Sequence, residues 1–132
     1  MKITADTNVL ARFLVRDDEL QAQAAVKILR ESEVVAIPLA GLCELVWVLR
    51  RLYRFERPQI ATAINALLEM ENVEVDQLAV EAGLKIFEAG ADFADGVIAY
   101  EGHWLGGESF VSFDKKAVKL LTAQGQEAQL LT

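Results

Sequence analysis

The sequence alternates short β-branched or apolar runs with longer segments of helical periodicity, and this alternation most constrains its fold. Each short run ends at a turn residue or an acid, and most are followed by apolar residues spaced three or four apart. Because parallel neighbouring strands need crossover connections, the pattern predicts an α/β domain with a mostly parallel central sheet flanked by helices. The predicted strands cover 1–5, 34–37, 73–75, 110–113 and 128–131.

Two of the predicted helices are consecutive. The segment 39–53 repeats leucine and valine at helical spacing, and Pro58 suits the first turn of the helix that follows. This pair, about 39–71, is predicted to project from the sheet as an αα-hairpin. The other helices are predicted over 9–15, after the acids at 17–19, after Asp76, over 93–104 and over 115–123.

The length and composition favour one domain over 1–132. The chain has 132 residues and is 53% apolar, which is enough for a core of its own. The single cysteine excludes an internal disulfide, the N-terminus lacks the features of a signal peptide, and no apolar run reaches the ~20 residues of a membrane helix. We therefore expect a soluble cytoplasmic protein with no membrane association.

The net charge of −7 argues against a general nucleic-acid-binding surface, because phosphates attract basic residues. If many of the carboxylates lie in a metal site, the net charge overstates the repulsion of phosphates, because bound cations reverse the local field. An acidic surface also suits a basic protein partner.

Several acids occupy positions typical of a ligand site. Asp6 and Asp114 end predicted strands, where α/β sheets bind ligands, and Asp95 lies in the first turn of a helix. Glu44 lies in the apolar segment LCELVWVL, which predicts a buried helix in which a lone carboxylate needs a partner. Converging carboxylates repel one another unless a cation lies between them. Oxygen ligands suit Mg²⁺ or Mn²⁺, and one histidine and one cysteine argue against a zinc site.

Each strand-end or helix-start acid also has a purely structural interpretation. Residues 6–8 suit a strand-to-helix turn in which Thr7 and Asn8 cap the helix. Asp92 and Asp95 match a D-x-x-D capping box, and for Asp92 capping is the favoured interpretation. Asp114 can cap the helix after it. Capping cannot explain Glu44, and the metal hypothesis depends on the acids occurring together.

Four segments carry these acids: ITADTNVL, LCELVWVL, ADFADGVIAY and FVSFDKKAVKL. They resemble, in order, the motifs of PIN-domain nucleases: a strand followed by D-T/S-N, a helix with a glutamate, D-x-x-D-x-x-I-A, and T/S-F-D before a basic helix. The resemblance covers nearly the whole chain and is nearest to the VapC-type toxins of type II toxin–antitoxin systems. The one departure is mild, because Ser112 stands where many relatives have threonine.

The resemblance implies a site and a reaction. Asp6, Glu44, Asp95 and Asp114 would form the acidic site, with Asp6 and Asp95 as the principal ligands of Mg²⁺ or Mn²⁺. Asp92 matches a position that is often acidic and is a further metal-ligand candidate. The implied activity is endoribonucleolytic hydrolysis of RNA phosphodiester bonds by a metal-activated water.

The resemblance also implies an RNA substrate, a cognate antitoxin that covers the acids, and a homodimer. Basic side chains could line the approach of RNA or lie on solvated helix faces. These are Arg12, Arg16, Arg50, Arg51, Arg54, Arg57, Lys115, Lys116 and Lys119. Aromatic side chains could contact the antitoxin, the core or a second copy. These are Trp47, Tyr53, Phe55 and Trp104. His103 is expected at a helix end rather than as a general base.

Three other classes of protein compete with the nuclease interpretation. A receiver-like signalling domain needs adjacent acids near the first strand, whereas this chain has the single acid Asp6 there and carries Glu44 on a predicted helix. A phosphatase with a nucleophilic aspartate typically carries D-x-D, whereas this chain reads D-T-N. A catalytically silent PIN-like module that binds RNA or protein stays open.

Overall fold

The predicted alternation of strands and helices is present along the whole chain. The computed structural model describes residues 1–132. The strands are β1 Lys2–Thr4, β2 Val34–Ala36, β3 Val73–Glu74, β4 Phe110–Ser112 and β5 Ala128–Leu130. The helices are α1 Thr7–Val15, α2 Glu19–Glu31, α3 Leu39–Arg51, α4 Arg57–Leu68, α5 Gln77–Glu88, α6 Phe93–Trp104 and α7 Lys115–Ala123. No helix among them has the length and apolar character needed to cross a bilayer. The chain divides into two units, residues 1–76 and 77–132.

The first unit contains a parallel sheet in the order β1-β2-β3. Ile3 pairs with Val35, and Val35 pairs with Val73. Val35 is fully buried at the centre of this sheet. Helices α1 and α2 connect β1 to β2, and α3 and α4 connect β2 to β3, as parallel pairing requires. The α/β class predicted from the sequence is confirmed.

The predicted pair of consecutive helices is α3 and α4, which contact each other in the first unit. Helix α3 buries Leu42, Leu45 and Leu49 on one face. Its other face is exposed and carries Glu44 and Trp47, which are neighbours because they are three residues apart. The prediction that this helix is buried all round was therefore wrong, since apolar residues also occupy its outer face.

The second unit contains α5, α6 and α7 and the parallel pair β4-β5. Helices α5 and α6 approach closely at Gly83 and Gly96. A Cβ on Gly96 would lie 2.5 Å from the carbonyl oxygen of Ala82, and one on Gly83 would lie 2.8 Å from the ring of Phe93. This close packing fixes the first turn of α6 against α5. It thereby positions the acids that begin α6.

Candidate metal centre

Three aspartates of the second unit come together at the start of two helices. Asp92 is the N-cap residue of α6, Asp95 lies in its first turn, and Asp114 follows β4 as the N-cap of α7. One carboxylate oxygen from each lies within 4.8 Å of the other two. We call these three residues the acidic cluster.

The oxygens of the acidic cluster have a spacing that a small divalent cation can use. Octahedral Mg²⁺ holds oxygen ligands at about 2.0–2.1 Å, so opposite ligands are about 4.2 Å apart. Small side-chain rotations therefore suffice to bring these oxygens, which lie within 4.8 Å of one another, to one ion. The donors are all carboxylates, which suits Mg²⁺ or Mn²⁺. The residues present fit such an ion.

Asp92 does not act as a side-chain cap. It occupies the N-cap position of α6, but its carboxylate accepts no hydrogen bond from the helix amides. The capping interpretation favoured from the sequence was therefore wrong for this residue. Its exposed carboxylate instead lies beside Asp95 and Asp114. The D-x-x-D pattern was the available signal, and it fits helix capping and metal binding equally well.

The carboxylate of Asp114 caps α7 through one of its two oxygens. Its Oδ1 accepts hydrogen bonds from the backbone N–H groups of Lys116 at 3.0 Å and Ala117 at 3.1 Å. Its own backbone N–H donates to the hydroxyl of Ser112 at 3.0 Å, which fixes the turn after β4. Capping therefore leaves Oδ2 to face another ligand, so the capping and metal-binding interpretations of Asp114 are compatible.

Asp95 is the member of the acidic cluster whose pKa is raised. Its half-buried position, together with the negative charges of Asp92 and Asp114, raises the pKa of its carboxyl above the ordinary value. The ion pairs Lys2–Glu33, Arg12–Asp17 and Arg16–Glu19 lie in the first unit. No basic side chain is paired with the acidic cluster, so a bound cation would relieve its repulsion.

A comparison with protein families matches most of the chain. The model of the PIN domain matches residues 3–120. The chain belongs to the PIN domain family. A comparison with curated proteins found no match. PIN domains are generally nucleases and typically bind divalent metals. The matched segment contains the whole acidic cluster and both acids predicted in the first unit.

In the first unit of the PIN domain, Asp6 lies two residues after the end of β1 and directly before α1. Its Oδ1 accepts a hydrogen bond from the backbone N–H of Val9 at 3.0 Å, so Asp6 is the N-cap. The predicted caps, Thr7 and Asn8, instead lie within the helix. Thr7 is buried, and its hydroxyl donates to the carbonyl oxygen of Gly41 at 3.3 Å, which ties α1 to α3. As at Asp114, capping uses only one carboxylate oxygen of Asp6.

Glu44 lies on the exposed face of α3. Burial therefore does not force this carboxylate to find a partner. Its assignment to the site depends on the PIN-domain resemblance alone.

Arg12, one of the basic side chains that could line an RNA path, makes its contacts within the first unit. Its Nη1 donates to Asp17 Oδ1 at 2.8 Å and to the hydroxyl of Tyr53 at 2.9 Å. Its Nε donates to Gln21 at 2.6 Å. Arg12 thus joins α1, the start of α2 and the end of the α3 segment, which is a structural task within the first unit.

The C-terminal end of α6 carries His103 and borders a cavity. His103 is exposed in the last turn of α6 and contacts Trp104, with 6.0 Å between ring centroids. It is eight residues from Asp95, or about 12 Å along the helix axis, so it is not a general base for the acidic cluster. A cavity of about 580 Å³ at this end is lined in part by Tyr100, His103 and Phe110 and contains none of the clustered acids.

Proposed function

We propose that this PIN domain is a Mg²⁺- or Mn²⁺-dependent endoribonuclease and the toxin of a VapBC-type toxin–antitoxin pair. The observation that carries the proposal is the convergence of Asp92, Asp95 and Asp114 in a chain of a nuclease family. The acidic cluster has the donor type and spacing for a divalent ion. It also lacks any paired basic side chain that would already neutralise it.

The chemistry follows from how the side chains are held. A bound Mg²⁺ or Mn²⁺ would supply Lewis acidity toward a phosphodiester and would acidify a coordinated water. A bound cation would favour the ionised form of Asp95, because it opposes the burial and the neighbouring negative charges that raise the pKa of this carboxyl. Asp114 is oriented by the amides at the start of α7, and Asp92 is exposed to the incoming substrate.

We assign Asp6 and Glu44 to the same activity on the strength of the resemblance. Asp6 follows a parallel strand, as a PIN-domain ligand is expected to do. Glu44 is an exposed acid on α3 and therefore accessible to solvent and ligands. Mutation tests both assignments.

The biological partners of this proposal are an RNA, a cognate antitoxin and a second copy of the chain. The net charge of −7 favours a basic antitoxin segment over a broad RNA surface. Trp47 and Trp104 are 56% and 72% exposed, so both are surface residues and candidate partner contacts rather than core residues. The proposed activity also implies a cytoplasmic location, where RNA and antitoxin are present.

The test is cleavage of labelled single-stranded RNA by the purified chain in Mg²⁺ or Mn²⁺ against EDTA, with single-stranded DNA in parallel. Asp95→Asn and Asp6→Asn should reduce the rate by at least about a hundredfold, since each removes a charged ligand. Asp18→Asn is the matched control, because Asp18 caps α2 and lies outside the acidic cluster.

The alternatives predict different results. RNA cleavage that survives both site variants would contradict the proposal. A folded protein that binds Mn²⁺ and RNA but cleaves neither nucleic acid would instead be a silent binding module. Preferential cleavage of DNA would support nuclease activity but contradict the assignment as a VapC-type ribonuclease.

A further inference from the structure

The end of the Lys116 side chain lies against the turn that precedes α6. Its side chain crosses from the first turn of α7 to Gly90, between α5 and α6. A Cβ built on Gly90 would lie 2.6 Å from Nζ and 2.8 Å from Cε of Lys116. The end of the lysine side chain therefore occupies the space that a side chain on residue 90 would need.

Two independent features make Gly90 suitable for this position. Its φ of +110° is in the region that glycine adopts readily and other residues rarely do. Its missing Cβ also lets the ammonium group of Lys116 lie against the backbone. Any larger residue would both strain the turn and displace the lysine.

Lys116 contacts one clustered acid through its backbone and the segment before another through its side chain. The backbone N–H of Lys116 donates to Asp114, and its ammonium lies against Gly90, two residues before Asp92. The Cα atoms of residues 90 and 92 are at most about 7.6 Å apart. Lys116 nevertheless forms no ion pair with a clustered carboxylate. Its ammonium thus lies beside the segment that leads into Asp92 and is paired with none of the clustered carboxylates, so it remains available to an anion.

We propose that Lys116 binds a phosphate of the single-stranded nucleic acid that the acidic cluster engages. The inference rests on the nuclease proposed above and adds a substrate-binding residue outside the acidic motifs. An anion between the ammonium and a metal-loaded acidic cluster would be attracted from both sides. Without a positive charge such as the Lys116 ammonium beside them, three unpaired carboxylates would repel the phosphates of RNA.

The neighbouring lysines of α7 provide matched controls. Lys115 and Lys119 are exposed and carry the same charge on the same helix, but neither lies against Gly90. Lys119 is one helical turn further from Asp114 than Lys116 is. A general electrostatic effect of α7 would involve all three residues, whereas a placed phosphate ligand singles out Lys116.

The experiment measures binding of a fluorescent single-stranded RNA, with DNA of the same sequence in parallel. It uses wild type, Lys116→Ala, Lys116→Arg and Lys119→Ala in Ca²⁺ at several salt concentrations. A gel run afterwards verifies that the RNA is intact. Thermal unfolding verifies that each variant folds, and calorimetry gives its affinity for Mn²⁺.

We expect Lys116→Ala to weaken RNA binding by about tenfold and to reduce the slope of log K against log salt by about 0.7. Lys116→Arg should stay within about threefold of wild type, because it keeps a charged donor. Lys119→Ala should change binding by less than about threefold. Mn²⁺ affinity should be equal or tighter in Lys116→Ala, because the substitution removes a nearby positive charge.

Two outcomes would overturn the inference alone. One is that wild type binds RNA and Lys116→Ala binds it no more weakly than Lys119→Ala. The other is that Lys116→Ala loses Mn²⁺ affinity in parallel with RNA affinity, which would mean that Lys116 shapes the acidic cluster. A wild type that binds Mn²⁺ but neither nucleic acid would overturn the inference together with the nuclease proposal.

Discussion

Asp114 and Asp95 reach each other from different helices, with carboxylate oxygens no more than 4.8 Å apart. The negative charge of Asp114 adds to the burial of Asp95 and to the charge of Asp92 in raising the pKa of Asp95. The three carboxylates of the acidic cluster therefore repel one another in the metal-free protein. Such strain is typical of sites selected for binding rather than for stability.

Asp95→Asn should therefore stabilise the metal-free protein at neutral pH. Because the folded pKa of Asp95 is above the ordinary value of 3.8, the unfolded chain loses this proton at lower pH than the folded chain does. The free energy of unfolding should fall as pH rises through that window, and asparagine should remove the fall. After allowance for solvent screening, we expect a gain of up to about 1 kcal/mol at pH 7.

Thermal unfolding in EDTA at pH 3.5 and pH 7 checks this expectation, with Asp18→Asn as the control. A variant that is less stable than wild type at pH 7 would mean that Asp95 stabilises the metal-free fold. In saturating Mn²⁺ the wild type should become more stable than Asp95→Asn. Wild type should gain about 2.7 kcal/mol at one hundred times its dissociation constant, and Asp95→Asn much less.

Substitutions of Asp114 should separate its capping task from its site task. Asparagine caps helices about as well as aspartate, whereas alanine costs about 1 kcal/mol at an N-cap. We expect Asp114→Asn to retain thermal stability and lose metal-dependent cleavage, and Asp114→Ala to lose both. Thermal unfolding in EDTA and cleavage in Mn²⁺ give the two readouts. Full activity in Asp114→Asn would exclude this carboxylate from the site.

Gly96→Ala should disturb the packing that positions α6. The added Cβ would lie 2.5 Å from the carbonyl oxygen of Ala82 and 2.7 Å from the Cα of Gly83. These backbone atoms cannot move aside cheaply, so we expect about 1–3 kcal/mol of destabilisation and weaker Mn²⁺ binding.

Gly102→Ala is the matched control in the same helix. A Cβ on Gly102 would meet no atom within 4 Å. Helix propensity then predicts a gain of up to about 1 kcal/mol. Equal effects of the two substitutions on chemical denaturation would contradict the packing explanation.

The pKa of Asp17 should be sensitive to its hydrogen bonds with Arg12 and Tyr53. Burial of Asp17 raises this pKa, but hydrogen bonds from Tyr53 and Arg12 outweigh burial and lower it overall. Tyr53→Phe removes one of these donors, at 3.0 Å from Asp17 Oδ2, so the pKa should rise. NMR titration measures it, with Tyr100→Phe as the control. An unchanged pKa in Tyr53→Phe would show that the hydroxyl does not hold this carboxylate.

The sequence was informative wherever a property depends on residues close together in the chain. The short β-branched runs predicted the strands, and the acids that follow β1 and β4 were identified from strand ends. The D-x-x-D spacing placed Asp92 and Asp95 at the start of one helix. The family motifs then predicted the PIN domain, which the family comparison confirmed.

The sequence was misleading wherever a property depends on how a helix is rotated or what packs against it. Glu44 was predicted to be buried because apolar residues surround it in the chain, yet α3 turns it outward beside Trp47. The position of Lys116 against Gly90 joins residues that are 26 apart in the chain, and no local pattern indicates it. Hydrophobic periodicity identifies an apolar stripe but does not show which residues beyond it will be covered.

The most direct test of the central claim is anomalous diffraction from crystals of the free chain grown with saturating Mn²⁺, beside crystals of Asp95→Asn. We expect a peak between the carboxylates of Asp92, Asp95 and Asp114 in the wild type, and loss or strong weakening of that peak in the variant. A wild-type structure with these carboxylates ordered and no peak between them would contradict the assignment of the acidic cluster as a metal centre.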